Sequence, residues 1–235
     1  MKYSLVICIL LIMSCSDKTT DLIPPNLTAS PVNTSEIALT VITDNIDADG
    51  VKYAELLFKV GPTVLAKYKE VNLDISPIGK FNNGATTQKL TIDVTGEAKI
   101  FAVSNVQGTA TIKATAGDFS KQAVVHFLPA YPDQIFIEPD STFLPAMPGA
   151  KTIVKARMTR ASGQVSPGQT ITFYDSTINN ASAGIFLNTS LANASGIATT
   201  EYWLQDTSYH NYVYIKGYVL TNSGRVTGVN RIRIR

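Results

Sequence analysis

Gly108-Thr109-Ala110-Thr111-Ile112-Lys113-Ala114-Thr115-Ala116 alternates small or apolar residues with polar ones, the period of a β-strand that buries one face and wets the other. Segments of the same kind, rich in Val, Ile, Thr and Tyr, flank it and are separated by Gly, Asn, Asp, Ser or Pro at fairly even intervals. Before it the pattern predicts strands over 36–43, 53–60, 68–76, 86–94 and 97–104, and after it over 120–128. A second series follows at 134–138, 151–159, 168–174, 184–188, 197–204, 211–220 and 225–234. No segment carries a helical period, so the chain reads as all-β.

Seven strands in about 100 residues is the count of an immunoglobulin-like sandwich, and the second series repeats it. The stretch Pro129-Ala130-Tyr131-Pro132 separates the two and marks a linker by its paired prolines. The expected architecture is two tandem immunoglobulin-like β-sandwich domains, 30–128 and 133–235, joined by 129–132. Three local matches run in the same order through both halves. Asp47-Ala48-Asp49-Gly50 before Leu56-Leu57-Phe58 pairs with Arg160-Ala161-Ser162-Gly163 before Ile171-Thr172-Phe173. Thr95-Gly96-Glu97-Ala98 pairs with Ser195-Gly196-Ile197-Ala198, and Thr111-Ile112-Lys113-Ala114 with Tyr214-Ile215-Lys216-Gly217.

The arrangement of the Asp47 to Gly50 turn, Phe58, the Gly96 and Ala98 turn, the run Gly108 to Ala114 and a final strand with Phe127 resembles the bacterial Ig-like group 1 domains of invasin and intimin. The second copy departs from that pattern, with Gly217 where Ala is expected and no Asp in its first turn. These motifs are turn and core features. The resemblance implies rigid stalks or rods on a cell surface, not a chemistry.

The N-terminus has a different character. Lys2 precedes the apolar run Leu5 to Met13, followed by Ser14 and Cys15, the layout of a secretory signal; spanning a bilayer as a helix would need about 20 apolar residues. Ile12-Met13-Ser14-Cys15 resembles the lipobox of bacterial lipoproteins, which implies a signal peptide over 1–14 and a lipidated Cys15. Cys8 lies inside the discarded segment, so Cys15 is the single cysteine of the mature chain and no disulfide is expected. Each buried CH₂ of an attached lipid contributes about 0.8 kcal/mol, so several acyl chains make a durable membrane anchor. The polar stretch that follows, ending in Pro24 and Pro25, reads as a tether over 15–29. Ser16 directly after the cysteine resembles lipoproteins sent to the outer membrane. The expected location is the cell envelope, with the surface or periplasmic face left open.

Asn45, Asp47, Asp49 and Gly50 look like the start of a calcium loop, since oxygens at alternate positions can wrap a hard cation. The acid expected at the twelfth position would be Leu56, and Glu55 is one place off, so a backbone turn is the stronger reading. Asp44, Asp47 and Asp49 are the metal candidates, with calcium as the only cofactor considered. In 211–220, Val213, Ile215, Gly217 and Val219 share one face and Tyr212, Tyr214, Lys216 and Tyr218 the other. Trp203 points away from the core set Ala198, Tyr202 and Leu204, in a strand expected in the opposite sheet. Trp203, Tyr212, Tyr214 and Tyr218 are the candidate ligand surface, against a plainer reading in which the rings cover a sheet.

Arg231, Arg233 and Arg235 alternate with Ile232 and Ile234 and read as solubilising charges on a last strand, with an anionic glycan or lipid as the other option. His126 and His210 stand in no metal or triad spacing. Asp140-Ser141-Thr142 and Asp175-Ser176-Thr177 resemble a short bacterial O-glycosylation signal. A net charge of +2 argues against nucleic acid. The expectation is a non-enzymatic, membrane-anchored lipoprotein acting as an Ig-like stalk or adhesion module toward another envelope protein, a host-surface protein or a glycan. The alternative is a carbohydrate-binding accessory lipoprotein that uses the exposed aromatics of the second domain.

Overall fold

Strand alternation predicted from sequence is the organising feature of the computed structural model, which describes residues 36–188 and 190–235. The 1–14 segment, Cys15 and the 15–29 tether lie outside the described residues. The first series contains β1 (Ile37–Thr43), β2 (Ile46–Asp47), β3 (Ala54–Val60), α1 (Pro62–Lys67), β4 (Glu70–Ser76), β5 (Lys80–Phe81), β6 (Thr87–Thr91), β7 (Glu97–Val103), β8 (Gly108–Ala116) and β9 (Phe119–Leu128). The second contains β10 (Gln134–Pro139), β11 (Phe143–Leu144), β12 (Lys151–Thr159), β13 (Thr170–Ser176), β14 (Gly184–Phe186), β15 (Ser190–Leu191), β16 (Ile197–Leu204), β17 (Tyr212–Thr221) and β18 (Gly224–Ile234).

Each series forms two facing sheets. In the first these run β1-β3-β7-β5 and β2-β9-β8-β4-β6, and in the second β10-β12-β16-β14 and β11-β18-β17-β13-β15. The orders correspond strand for strand. One core lies between the first pair of sheets, with Leu56, Phe58 and Ile100 meeting Leu73, Ile112 and Phe127; the other joins Val154, Ala156 and Tyr202 to Ile171, Ile215 and Ile232. Burying such a side chain fully contributes about 1.5–3 kcal/mol, and these cores hold with no cysteine among the described residues.

The correspondence corrects one of the three repeat matches. By sheet position β3 is the counterpart of β12, not of β13, so the Arg160 to Gly163 turn does not repeat the Asp47 to Gly50 turn. Two residues and an Asp or Gly suffice for a tight turn anywhere in a β protein, so that match carried little register information. The other two hold. Asp93 Oδ1 accepts the amides of Thr95 and Glu97, and Asn193 Oδ1 those of Ser195 and Ile197, closing the same turn in each half. At Gly96 and Gly196 the backbone has positive φ, and an added Cβ would lie 2.5 Å from the Val60 carbonyl oxygen or 2.8 Å from that of Met158. The turns therefore need glycine twice over. Gly217 replaces the Ala114 of the first half because the Ile137 and Ile171 methyls fill that space.

The sequence hid short elements. α1 has Pro62 at its start and anchors through buried Val64, but six residues give no readable period. The expected strand 86–94 stops at Thr91, where the Asp93 turn begins.

Where the halves meet, the Arg160 turn of the second sits on the Asp47 turn of the first. Arg160 Nη2 donates to Asp47 Oδ2 at 2.9 Å and lies 3.8 Å from Asp49 Oδ2, while Nη1 donates to the Tyr131 carbonyl at 2.6 Å. Ser166 Oγ donates to the Ala48 carbonyl and accepts from the Ala130 amide, both at 2.9 Å, and the Gln164 backbone amide donates to the Asp49 carbonyl at 2.8 Å. Ala130, in the connecting stretch, is fully buried. Burial works to raise the Asp47 carboxyl, but hydrogen bonds and charges from Lys52 and Arg160 outweigh it and hold it below an ordinary aspartate.

The second core contains a buried polar network. Tyr202 donates to Asp175 Oδ2 at 2.9 Å, and the same oxygen accepts the Ala183 and Gly184 amides. Burial foremost, then the Asp175 charge, pushes the Tyr202 phenol far above its ordinary value.

Arg160→Met is expected to lower the unfolding free energy by about 2–4 kcal/mol, since it strands the buried Asp49 carboxylate. Arg160→Lys should recover little of that, because a single ammonium nitrogen does not span the separate Asp47 and Tyr131 acceptors as the planar fork does; equal stability of the Lys variant and wild type in urea unfolding would contradict this. A second expectation concerns alkaline pH. A phenol whose folded pKa is raised stabilises the fold fully below the unfolded value of about 10 and progressively less as pH rises above it. The unfolding midpoint of the wild type should fall more steeply above pH 10 than that of Tyr202→Phe, measured by thermal melts across pH 8 to about 11.5.

Candidate interaction surface

The alternation of β17 places Val213, Ile215, Gly217 and Val219 in the core and leaves Tyr212, Tyr214, Lys216 and Tyr218 half-buried on the outer face. Antiparallel register then decides their neighbours, because residues directly opposite share a face. On one side Tyr212 faces Arg233, Tyr214 faces Arg231 and Leu220 faces Arg225; on the other, Lys216 faces Tyr174 of β13. The tyrosines and the alternating arginines, read separately from sequence, are thus a single surface.

The contacts on it are specific. The Arg225 guanidinium carbon lies 3.9 Å from the Tyr218 ring centre, and that of Arg231 lies 4.4 Å from Tyr212. Lys216 Nζ is 5.6 Å from the Tyr174 ring, which meets Tyr218 edge-on at 6.0 Å, and Arg235 lies 5.9 Å from Phe143. Each such cation–ring contact contributes about 0.5–1 kcal/mol at an exposed site. Tyr174 and Phe143 escaped sequence reasoning; they lie in β13 and β11, and only the register joins them to β17 and β18.

The charge balance of this face is one-sided. The five strands of its sheet contain one acid, Asp175, which points inward to Tyr202. Among the described residues, no carboxylate lies within ion-pair distance of Lys216, Arg225, Arg231, Arg233 or Arg235. The opposite sheet of the same sandwich behaves otherwise: Arg157 pairs with Glu138 at 2.8 Å, Lys155 with Asp140 at 2.9 Å and Lys151 with Glu201 at 2.9 Å.

Trp203 lies on that opposite sheet, in β16, so the structure does not unite it with Tyr212, Tyr214 and Tyr218. Its indole N–H donates to Glu201 at 2.7 Å and Lys151 Nζ sits 4.8 Å from the ring. The Lys151 hydrogen bond first, then that from Trp203, keeps the Glu201 carboxyl below its ordinary value.

The carboxylates considered for calcium are engaged individually. Asp44 accepts the His126 amide at 2.6 Å and lies 2.8 Å from its ring Nδ1. Asp47 faces Lys52 and Arg160, and Asp49 Oδ1 accepts the Val51 and Lys52 amides as a turn residue. Among the described residues no three His, Cys, Asp or Glu side chains converge as a metal site would require. A cleft of about 750 Å³ beside this turn, between Asp49, Gly79, Lys80, Asn105 and Gln164, brings together one lysine and Asp49, whose Oδ1 takes the turn amides and whose buried Oδ2 faces the Arg160 guanidinium at 3.8 Å without a hydrogen bond. His210 lies in the loop before β17. Of the two glycosylation-like triplets, Ser176 and Thr177 are buried, which closes that one in the folded state, whereas Thr142 is exposed.

Neither a protein-family model nor a curated protein sequence matches this chain. Solved structures do. Invasin, described as a bacterial integrin-binding protein, is similar over 84% of this chain and 39% of its own, with a TM-score of 0.57 at 14% identity. The adhesin InvE of Yersinia pseudotuberculosis is similar over 86% of this chain and 59% of its own, with a TM-score of 0.54 at 16% identity. The chain therefore spans less than two thirds of the length of either. Identities this low speak to fold, and the fold is the immunoglobulin-like sandwich expected from sequence.

Tyr218→Leu is expected to change stability by no more than about 1 kcal/mol, while Ile215→Ala, on the inner face of the same strand, costs about 2–5 kcal/mol. Urea unfolding of both variants checks this. Comparable losses would make the tyrosine row part of the packing rather than a surface.

Proposed function

We propose that this chain is a non-enzymatic lipoprotein of the bacterial cell envelope, attached through lipidated Cys15 at the outer membrane and presenting its immunoglobulin-like sandwiches as a stalk or adhesion module. The observation that carries the interaction role is the contrast between the two outer faces of the second sandwich. One neutralises its charges internally; the other stacks unpaired cations on tyrosines. Arginine and tyrosine are the residue types enriched at interfaces, and cations left without an internal partner keep their donors for an external one. The sandwich fold that invasin and InvE share with this chain supports the adhesion reading, and the 15–29 tether would join the sandwiches to the lipidated cysteine. No residue is assigned a catalytic role and no cofactor enters the reading.

The carbohydrate-binding alternative has its own support in the row Tyr212, Tyr214 and Tyr218, since aromatic rings and hydroxyls on a flat sheet suit sugars. Both readings use the same face and the same anchor.

Cys15→Ala should move the protein from the membrane fraction to the soluble one and abolish its partition into detergent; retention in the membrane would defeat the lipoprotein reading. In intact cells, crosslinking of the wild type should capture a partner that Arg231→Glu with Arg233→Glu no longer captures. An unchanged crosslinking pattern would remove the interaction role from this face.

A further inference from the structure

The guanidinium groups on the outer face of β17 and β18 lie over the tyrosine rings rather than beside them. Arg225 covers Tyr218, Arg231 covers Tyr212, and Arg233 reaches the same Tyr212 ring at 5.8 Å. A neutral sugar that stacks on an aromatic platform needs the ring face open. Here two of the three β17 rings are already capped by a cation. What a stacked guanidinium leaves open is its edge, a planar row of N–H donors that matches the paired oxygens of a carboxylate or sulfate. No carboxylate of the chain takes those donors among the described residues.

The cations are also ordered along a line. Arg231, Arg233 and Arg235 recur at every second residue of one extended strand, about 6.8 Å apart. Arg225 stands on the same face nearer the hairpin, separated from Arg231 by the outward Thr227 and Val229, and Lys216 lies opposite that gap on β17. Interleaved with them, the hydroxyls of Tyr174, Tyr212, Tyr214 and Tyr218 make no hydrogen bond to protein among the described residues. A straight row of oxyanion donors with free hydroxyls between them fits a linear polymer bearing both repeated anions and hydroxyl groups.

We propose that this face binds an acidic polysaccharide, a chain of sugars carrying carboxylate or sulfate at regular intervals, with the arginine edges taking the anions and the tyrosine hydroxyls the sugar hydroxyls. The tyrosine rings act as supports that hold the guanidinium groups flat. The inference rests on the reading of this face as the interaction surface and replaces the neutral-sugar platform with an anionic ligand.

The test measures binding of the full chain to polygalacturonate, which carries carboxylates, and to heparin, which carries sulfates. Dextran, polyglutamate and vesicles of phosphatidylglycerol serve as neutral-sugar, acidic-peptide and anionic-lipid comparisons. The wild type should bind one or both acidic polysaccharides, weakening about tenfold or more between 50 and 200 mM salt as charge contacts are screened. Arg231→Gln with Arg233→Gln should lose about tenfold, and Tyr218→Leu, which keeps every charge, about threefold, while Lys113→Gln on the first sandwich should bind as wild type. Circular dichroism establishes that each variant is folded. Binding to dextran as tight as to the acidic polymers, equal or tighter binding to polyglutamate or to the vesicles, or an unaltered affinity in the double Arg variant would each overturn the proposal. If polysaccharide binding fails while cellular crosslinking still depends on Arg231 and Arg233, the ligand class falls and the interaction module stands; if crosslinking is also unaffected, both fall.

Discussion

Ten consecutive residue pairs, from Tyr212 opposite Arg233 to Thr221 opposite Gly224, lock β17 against β18. The character of the second sandwich depends on this register. A one-residue slip of β18 would turn Arg231, Arg233 and Arg225 into the core and Ile232 and Ile234 into water. Unpaired buried guanidinium groups are far too costly for that alternative to compete. The hairpin at Asn222 and Ser223 fixes the count of residues between the strands, and Gly224 supplies the positive φ the turn needs. Burial of isoleucines on one side therefore dictates where arginines stand on the other, and the surface is as precisely placed as the core.

The junction between the halves uses the same logic in polar form. Arg160 is held by Asp47, by the Tyr131 carbonyl and, at longer range, by Asp49, while Ser166 links Ala48 to Ala130. Every one of these contacts crosses from one series of strands to the other or to the stretch between them. Gly163 permits the approach: an added Cβ would lie 2.5 Å from the Asp49 carbonyl oxygen. The Asp47 turn therefore works as half of an interface, and its carboxylates face cations supplied by the chain itself.

The sequence made the large strands legible because their alternation is long, as in Gly108 to Ala116 or Tyr212 to Leu220, and a period of two needs only a few repeats to register. It also placed Trp203 and the tyrosines in opposite sheets. It could not show α1 or the two-residue strands, which are too short to have a period. The match between Asp47 to Gly50 and Arg160 to Gly163 misled because turn chemistry recurs wherever a β chain reverses; those two segments turn out to touch rather than to correspond. The joining of Arg225, Arg231 and Arg233 to Tyr212 and Tyr218 was invisible for another reason. It depends on pairing register, which links residues many positions apart and leaves no local trace.

The two outer faces of the second sandwich handle their charge in opposite ways. Cations about 6.8 Å apart lie within the screening length of about 8 Å at physiological salt, so their mutual repulsion is felt. The opposite sheet relieves such repulsion with Glu138, Asp140 and Glu201, which shows that acids are compatible with outer positions in this fold. Among the described residues the β18 face has no acid, and stacking on tyrosine spreads but does not cancel the charge. The inner residues Ile232, Ile234, Val213 and Ile215 hold the strand in place regardless, so the repulsion is borne by burial on the far side of the same backbone. An unneutralised row kept rigid in this way attracts anions before any contact is made, and it gives up little side-chain freedom on binding because the rings already restrict the guanidinium groups.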